Sequence, residues 1–298
     1  MRKFEGRVAV ITGAGSGIGA ALAWRFARAG MKIVAADVDQ AAADALQAAL
    51  AKAGHQALAV RTDVAQADQV EALAEQAYRT YGSVDLLCNN AGVVPSGRFR
   101  AAWEYTLEDW RWSLDVNLMG VVHGIRSFVP RMLAQGTEAH VVTTASIAGL
   151  ISGAASVPYG AAKHGAVVVT EALYAALQER SAPIGVTVLC PGVVNTNIYR
   201  SERNRPAELR PAGGPAEEAP ELQAVAADLY GGALTPDAVA EQVFEAVWNN
   251  QLYALTTSNF DTAIRERADA VLARSNPQFA NLLDMSKLRD GRPAPAMP

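Results

Sequence analysis

A tyrosine and a lysine four positions apart, Tyr159 and Lys163, have the spacing in this chain that points most directly to chemistry. If residues 156 to 180 form a helix, the two side chains meet on one helical face. A phenol normally loses its proton near roughly pH 10, but a nearby ammonium favours the phenolate and allows proton exchange at neutral pH. Ser146, a short way upstream, could hold a substrate oxygen beside that phenol. Because many helices carry this pair for packing alone, the interpretation depends on the elements that position it.

A glycine-rich turn near the N-terminus predicts a phosphate-binding site. Residues 7 to 12 read as a buried strand, and an Ala- and Leu-rich helix is predicted over 18 to 29. Glycines between them let the backbone turn sharply, and the helix N-terminus presents free amide groups to a phosphate. A glycine-rich turn often has only a structural role, but its position between a strand and a helix favours a dinucleotide site. Its residues are Gly13, Gly15, Ser16, Gly17, Ile18 and Gly19.

An acid at the end of the next strand indicates which dinucleotide would bind. The strand over 32 to 37 ends in Asp37, which could accept hydrogen bonds from both adenosine ribose hydroxyls and would repel the 2'-phosphate of NADP. No Arg or Lys occupies positions 38 to 40, and Ser16 is not basic, so NAD is favoured over NADP. Alternatively, Asp37 or Asp39 caps the helix over 40 to 53, a role that suits Asp39 better.

Strands and helices then alternate along most of the chain. Short polar connections between them are typical of a parallel sheet covered on both faces. We therefore expect an α/β fold, a Rossmann-like doubly wound parallel sheet of about seven strands with helices on both faces, in a single domain of residues 1 to 298. Ligands of such sheets bind at the carboxyl ends of strands, where Asp63 and Asn90 fall. The remaining predicted strands are 56 to 62, 84 to 88, 139 to 144, 185 to 190 and 252 to 256, and the remaining helices are 66 to 81, 106 to 135, a helix starting at 235 to 237, and 261 to 274.

The segment from 106 to 135 reads as one long helix or as two joined near Gly120 and Pro130. Asn117 lies in its middle between Val116 and Leu118. Since these neighbours are apolar, we expect Asn117 to be buried and to have a hydrogen-bonding partner.

Composition excludes several classes of protein. Half of the 298 residues are apolar, 19% are charged and the formal net charge is -4, with no clustered basic face of the kind that binds nucleic acid. The four histidines show no metal-ligand spacing, and Cys88 and Cys190 are expected as buried free thiols. No signal peptide and no apolar run of transmembrane length is evident. We expect a soluble, cytoplasmic protein that binds no metal.

Six features follow one another in an order found in a known family. They are Thr12 to Gly19, Asn89 to Gly92, Asn117, Ser146, the pair Tyr159 and Lys163, and Pro191 with Gly192. With these the chain resembles the short-chain dehydrogenase/reductase family over about residues 5 to 198, and more weakly to 256. The resemblance implies an NAD-dependent enzyme that interconverts a secondary alcohol and a ketone, and commonly a homodimer or homotetramer built on the helices over 106 to 135 and 156 to 180.

The resemblance also implies a role for each site residue. Tyr159 would be the catalytic acid/base, Lys163 would lower its pKa and hold the nicotinamide ribose, and Ser146 would polarise the substrate oxygen. Asn117 would support a proton relay through water. The implied cofactor contacts are Asp63 and Val64 beside the adenine, Asn90, Ala91 and Gly92 along the nucleotide, and Pro191, Gly192, Val193 and Thr196 towards the carboxamide.

The C-terminal third departs from a minimal member of the family. A Pro-, Arg- and Glu-rich excursion at about 197 to 236 reads as a mobile segment and, by resemblance, as a substrate lid, and a C-terminal extension with a Pro-rich tail covers about 257 to 298. With residues 128 to 132, these features are similar to members that oxidise bulky benzylic alcohols from lignin fragments. Candidates for an aromatic pocket lining, which more often serve as core or subunit contacts, are Trp103, Tyr105, Trp110, Trp112 and Tyr199.

Two other functions use the same fold. A non-catalytic NAD sensor would bind the dinucleotide without turning over any alcohol, although it would not need all four of the implied catalytic residues. An epimerase or dehydratase would cycle its bound NAD without net reduction, and the chain is short for that class.

Overall fold

The computed structural model describes residues 1–97, 100–152, 156–216 and 233–276. Its centre is a sheet of seven parallel strands. Three of the seven strands are buried along their whole length and two more along most of it, which explains why they occur in the sequence as nearly continuous apolar runs. The strands are β1 (Val8–Thr12), β2 (Lys32–Asp37), β3 (Ala57–Arg61), β4 (Leu86–Asn89), β5 (Ala139–Thr144), β6 (Ile184–Cys190) and β7 (Tyr253–Leu255).

The order of the strands creates a crevice beside β1. Across the sheet they follow the order β3-β2-β1-β4-β5-β6-β7. The chain thus moves outward from β1 to β3 and returns to pair β4 with the other side of β1. A crevice opens at the carboxyl ends of strands where the direction reverses in this way, and ligands of doubly wound sheets bind there. The predicted fold class is confirmed.

Helices cover both faces of the sheet and agree closely with the predicted spans. The described residues include α1 (Gly17–Arg28), α2 (Gln40–Lys52), α3 (Ala67–Tyr81), α4 (Leu107–Leu114), α5 (Gly120–Gln135), α6 (Val157–Glu179), α7 (Pro236–Asn249) and α8 (Asp261–Ala273). Among these residues, no helix combines the length and the apolar character that crossing a bilayer requires.

Alternate residues of the strands enter two separate cores. Ile11 of β1 packs in one core with Phe26 of α1 and Val243 of α7. Val10, the preceding residue, faces the opposite core, where Phe128 of α5 and Leu177 of α6 are buried. Because successive strand residues point to opposite faces, a short apolar strand can serve both layers.

The segment from 106 to 135 is a composite of three helical pieces. Thr106 caps α4, and a π-helical turn at Asp115–Met119 joins α4 to α5. The join expected near Gly120 is therefore present, whereas Pro130 lies inside α5 without ending it, so the expectation of a join there was wrong. π-turns inside helices often mark functional positions, and this one carries Asn117.

The C-terminal third contributes ordered elements to the substrate side of the sheet. Within the excursion, Ile198–Asn204 and Ala207–Leu209 form short 3-10 helices. The rest of the excursion from 217 to 232 and the Pro-rich tail from 277 onward lie outside the described residues.

Candidate active site

A large cavity, of about 1190 Å³, follows the carboxyl ends of the strands. All of the predicted site residues line it except Gly19 and Asn117, each of which lies directly behind its wall. The lining residues from that prediction are Gly13, Gly15, Ser16, Gly17, Ile18, Asp37, Asp63, Val64, Asn90, Ala91, Gly92, Ser146, Tyr159, Lys163, Pro191, Gly192, Val193 and Thr196. One crevice therefore brings together residues that are up to 183 positions apart in sequence, from Gly13 to Thr196.

The glycine-rich turn is packed too closely for side chains. A Cβ atom on Gly19 would lie 2.1 Å from the carbonyl oxygen of Gly13, and one on Gly13 would lie 2.8 Å from Cα of Ala91. Gly17 adopts a φ of 55°, in the region that favours glycine. Ser16 is the N-cap of α1 but its side chain makes no capping hydrogen bond, and the first turn of α1 contains no acid. The amide end of α1 is thus suited to receive an anion.

Asp37 is fixed in place by backbone donors. Its Oδ2 accepts from the Gly15 amide at 2.8 Å and its Oδ1 accepts from the Asp39 amide at 3.0 Å. Each carboxylate oxygen can still accept a further hydrogen bond. Asp39, not Asp37, is the cap of α2, since its side chain accepts from the Ala42 amide at 3.1 Å. Asp37 therefore remains free to bind a ribose.

Asn90 ties the ends of three strands together. Its Nδ2 donates to the carbonyl of Thr12 at 2.9 Å, and its Oδ1 accepts from the hydroxyl of Thr144 at 3.0 Å. The Thr12 hydroxyl accepts in turn from the amides of Asn90 and Ala91. These bonds hold the floor of the crevice where β1, β4 and β5 end. Sequence analysis did not identify Thr12 and Thr144 as partners.

Asp63 and Val64 form a stiff corner after β3. The Asp63 carboxylate accepts from the Ala65 amide at 3.0 Å, and its own amide donates to Oε1 of Gln69 at 2.9 Å. The Val64 carbonyl lies 2.9 Å from Nδ1 of His123 on α5. The corner thus presents one acid and one apolar side chain at the end of the cavity that also holds Asp37.

Tyr159 and Lys163 lie one turn apart on α6, as their spacing predicted. The Lys163 ammonium is 5.6 Å from the centre of the Tyr159 ring and donates to the carbonyl of Thr144 at 2.7 Å. Burial, which penalises the charged form, lowers the pKa of Lys163 to about 8. Lys163 is 2% exposed, so its charge acts on Tyr159 with little screening by water.

Ser146 stands at the end of β5 with its hydroxyl oriented by the backbone. It caps the short helix Ile147–Gly149, and its Oγ accepts from the Ala148 amide at 3.1 Å. The hydroxyl hydrogen is not used in that bond and can be donated to a ligand oxygen. Ser146 and Tyr159 both line the cavity, so an oxygen bound there can meet two hydroxyl groups.

Asn117 is buried and fully hydrogen-bonded, which confirms the sequence expectation of a partner. Its Nδ2 donates to the carbonyls of Val93 and Ser113, both at 2.9 Å, and its Oδ1 accepts from the Val93 amide at 3.1 Å. The side chain thereby clamps the loop after β4. A Cβ atom on Gly92 would lie 2.9 Å from the Asn117 oxygen and 3.5 Å from the Lys163 ammonium, so the clamp and the lysine meet at this glycine.

Among the aromatic residues proposed for a pocket lining, only Trp112 lines the described cavity. The pocket assignment was wrong for the other four: Trp103 and Tyr199 are 87% and 45% exposed, Tyr105 is buried away from the cavity, and Trp110 does not line it either. Residues 128 to 132 give no contact to the cavity either, because Phe128 and Met132 are buried in the core beneath α5.

A buried ion-pair network supports the wall at Trp112, and sequence analysis did not find it. The Arg205 guanidinium donates to Oδ1 of Asp109 at 2.8 Å and lies 4.8 Å from the centre of the Trp112 ring. Arg100 donates to the other oxygen of Asp109 at 3.0 Å. The Asp109 and Arg205 side chains are 3% and 1% exposed. One aspartate thus joins α4 to the 3-10 helices of the excursion and to the loop after β4.

The arrangement fits a nicotinamide dinucleotide. Three features line one cavity in the order in which a dinucleotide needs them. An oriented acid for the adenosine ribose lies at the end of β2, an open helix N-terminus for the pyrophosphate follows β1, and a buried ammonium for the second ribose lies beside the end of β5. Among the described residues, no group of three His, Cys, Asp or Glu side chains is placed to hold a metal ion. Cys88 and Cys190 are buried free thiols, as predicted, and burial raises the pKa of Cys190 to about 12.

Comparisons with known proteins agree with this geometry. A family model described as short chain dehydrogenase matches residues 7–207. A CLA biosynthesis dehydrogenase/reductase of Lactiplantibacillus plantarum is 33% identical over 280 residues, which are 93% of this chain and 97% of the relative. A 1-deoxy-11-beta-hydroxypentalenate dehydrogenase of Streptomyces exfoliatus is 38% identical over 266 residues, 89% of this chain and 88% of the relative. A solved structure from Burkholderia phymatum, a short chain dehydrogenase/reductase in complex with NAD, is 42% identical, covers 93% of this chain and 98% of its own, and superposes with a TM-score of 0.87.

Proposed function

The chain belongs to the short-chain dehydrogenase family and is an oxidoreductase, and on that premise we propose that it interconverts a bulky or aromatic secondary alcohol and the matching ketone with NAD. One observation carries the proposal. The hydroxyls of Ser146 and Tyr159 and the buried ammonium of Lys163 line the same cavity as an open helix N-terminus. A protein that only sensed NAD would need the open helix N-terminus, but it would not need the two hydroxyls and the ammonium.

In the oxidative direction the reaction begins with the alcohol oxygen held between two hydroxyl groups. The Ser146 hydroxyl, oriented by the Ala148 amide, donates to that oxygen. Tyr159 as phenolate accepts the hydroxyl proton, while the carbon–oxygen double bond forms and the hydrogen on carbon leaves with its electron pair. Bound NAD supplies the acceptor for that hydride. In the reductive direction Tyr159 returns the proton to the ketone oxygen.

Lys163 supports this chemistry from the wall of the cavity, and Asn117 supports it from behind that wall. The Lys163 ammonium favours the phenolate form of Tyr159, because the two lie one helical turn apart in a buried site. Asn117 fixes the loop after β4 through Val93, and that loop includes the Gly92 beside Lys163. Positioning of the reactants supplies much of the rate in such sites, and acid/base transfer adds about a hundred- to ten-thousand-fold.

Two features support the choice of cofactor and of substrate class. Asp37 presents a fixed carboxylate where NADP would carry its 2'-phosphate, and that pairing of like charges disfavours NADP. The cavity is large and its substrate end carries apolar residues, which suits a bulky alcohol. Those residues are Val94, Trp112, Ile151, Val194, Pro206 and Leu209.

Turnover on a panel of alcohols tests the proposal. NADH formation is followed by absorbance with secondary alcohols from small aliphatic to bulky aryl, using NAD and NADP in turn. We expect NADH formation on bulky members, and its loss in Tyr159→Phe although that variant still binds NAD. Normal turnover in Tyr159→Phe would refute the role of Tyr159 as the catalytic acid/base. If no alcohol is oxidised and no ketone is reduced, while NAD still raises the melting temperature, the protein is better described as a non-catalytic NAD sensor.

A further inference from the structure

Helix α8, in the C-terminal extension, forms one wall of the substrate end of the cavity. Phe260 is the N-cap of α8, and Ala263 and Arg267 lie four residues apart on one face of the helix; all three line the cavity. A Cβ atom on Gly192 would lie 3.1 Å from the Phe260 ring, which places the start of α8 against the turn after β6. No residue of α8 itself is fully buried. The helix is therefore a cover over the site and not part of a core.

Arg267 is fixed close to the catalytic residues by one hydrogen bond. Its Nη1 donates to the carbonyl of Leu150 at 3.3 Å, just after the short helix that Ser146 caps. The side chain is half-buried, so its charge is screened less than that of a surface arginine. The remaining guanidinium donors, Nε and Nη2, can bind the two oxygens of a carboxylate.

Within the described ranges, no carboxylate lies within ion-pair distance of Arg267. The acids at this end of the cavity, Glu208 and Glu266, are both exposed. The other cations differ from Arg267. Arg203 is exposed and donates to the carbonyls of its own segment, and Lys163 donates to Thr144 within the cofactor half. Arg267 is the half-buried cation that the substrate end offers to a ligand.

We propose that Arg267 binds a carboxylate of the substrate, so that the preferred alcohol is a hydroxy acid with an apolar body between its carbinol carbon and its acid group. This inference rests on the proposed function and names the substrate class of the same site. The apolar residues between Ser146 and α8 bind the body, and Arg267 selects for the charge at its far end. A half-buried guanidinium and a carboxylate form the strong, geometrically specific pairing that neutral groups do not provide.

Matched substrates and matched variants test the inference. The substrates are secondary aryl alcohols whose carboxylate lies at increasing distance from the carbinol, each paired with its uncharged methyl ester. The variants are Arg267→Gln and Arg265→Gln. Arg265 is exposed on the same helix and does not line the cavity, so its loss makes the same change in net charge at nearly the same place.

For at least one pair in the series we expect the acid to exceed the ester in kcat/KM by about tenfold to a hundredfold. Arg267→Gln should abolish this preference, mainly by raising KM for the acid. It should leave kcat for the acid, kcat/KM for the ester and the dissociation constant for NAD almost unchanged. Arg265→Gln should keep the preference. The inference is overturned if no acid is preferred at any length, or if both variants lose the preference equally, since a general field effect would then explain it.

A binding measurement separates this inference from the proposed function. Calorimetry with NAD-loaded Tyr159→Phe protein, with and without the Arg267→Gln substitution, reports acid binding in the absence of turnover. If esters are oxidised but Arg267→Gln leaves the affinity for the acids unchanged, the oxidoreductase proposal stands and the carboxylate site is refuted. If no alcohol is oxidised but Arg267→Gln abolishes acid binding, the site stands and the proposed reaction fails.

Discussion

At the scale of single residues, Lys163 links the site to stability. Burial holds its pKa at about 8, below the ordinary value of 10.5, so the folded protein binds this proton more weakly than the unfolded chain does, although Lys163 is still an ammonium at neutral pH. Between these two values the unfolded chain binds one proton more than the folded chain. The free energy of unfolding attributable to Lys163 must therefore rise as the pH is raised through that range, and the benefit is absent below about pH 8.

The first prediction compares the unliganded protein with Lys163→Met. From about pH 8 to about pH 9.5, the free energy of unfolding of the unsubstituted protein should gain up to roughly 2 kcal/mol relative to the variant. Urea unfolding at several pH values measures this difference. Titrating groups that do not interact with Lys163 cancel between the two proteins, and a second comparison in a Tyr159→Phe background removes the contribution of the neighbouring phenol. Parallel pH profiles would mean that Lys163 is not held as a desolvated amine. The variant should also lose turnover, since Tyr159 would lack its ammonium.

Asp37 carries a second prediction, concerning cofactor choice. Replacement by Asn removes the negative charge while leaving a side-chain oxygen that can accept from the Gly15 amide, so the glycine-rich turn keeps its shape. The ratio of kcat/KM with NAD to that with NADP should fall by about tenfold or more.

Asp39→Asn provides the matched control for cofactor choice. It makes the same change in charge two residues away and preserves the cap of α2, because Asn caps helices as well as Asp does. The control should leave the ratio almost unchanged. A similar fall in both variants would show that the general negative potential, and not the ribose contact, sets the preference.

At the scale of elements, most of the fold could be predicted from the sequence because its signals are local. Residues 32 to 37 read as a strand since a buried parallel strand is apolar on both faces, and the cap of α2 at Asp39 lies where a side chain can reach the next turn. Tyr159 and Lys163 could be paired from helical spacing alone. These inferences involve residues at most a few positions apart.

The contacts that could not be predicted join distant parts of the chain. Asp109 and Arg205 are 96 positions apart, and neither belongs to a periodic pattern or to a family motif. The same holds for Arg267 and Leu150, which are 117 positions apart. The Pro-, Arg- and Glu-rich composition around Arg205 suggested a mobile excursion, because composition gives the number of charged residues but not their partners in the fold. A charged residue in a Pro- and Glu-rich segment is usually solvated, whereas Arg205 is buried and packs against the Trp112 ring.

Arg205 therefore carries the prediction at this scale. Arg205→Met keeps the length of the side chain but leaves the Asp109 carboxylate buried, with the Arg100 guanidinium and the Thr106 amide as its remaining partners among the described residues. Breaking a buried pair from one side costs about 3 to 5 kcal/mol when the remaining charge is left unpaired, and because Arg100 still pairs with Asp109 the lower bound, about 3 kcal/mol, applies here. We expect the free energy of unfolding to fall by about that amount, and KM for bulky alcohols to rise more than kcat falls, because the Trp112 wall loses its support. Urea unfolding and steady-state kinetics measure the two effects.

Arg203→Met is the control for this network. Arg203 lies in the 3-10 helix that Arg205 directly follows, is exposed, and bonds only to carbonyls of its own segment in the described structure. Its loss should cost about 0.5 kcal/mol or less. If both substitutions cost equally little, Asp109 and Arg205 do not hold the excursion against α4.

At the scale of the whole molecule, exposed apolar side chains on α4, the π-turn and α6 are the basis for a prediction about self-association. Leu107 at the start of α4 is 67% exposed, Met119 in the π-turn is 38% exposed and Val168 on α6 is 61% exposed. These residues lie on the two helical segments for which the family resemblance implies a subunit interface. Exposed apolar side chains also occur elsewhere, for example at Val271 and Leu272, but on these two segments they coincide with the implied interface, and such side chains are typical of a protein–protein contact.

We therefore predict a homo-oligomer that uses the surface of α4 and α6. Val168→Glu introduces a charge that would be buried without a partner in such an interface, which is strongly unfavourable, so sedimentation equilibrium should show dissociation to smaller species. Val271→Glu is the matched control, because Val271 on α8 is 70% exposed but lies outside this surface. It should leave the mass unchanged. If only Val271→Glu caused dissociation, the interface would lie on the C-terminal extension. Association would then involve α8, the helix that covers the substrate end of the cavity.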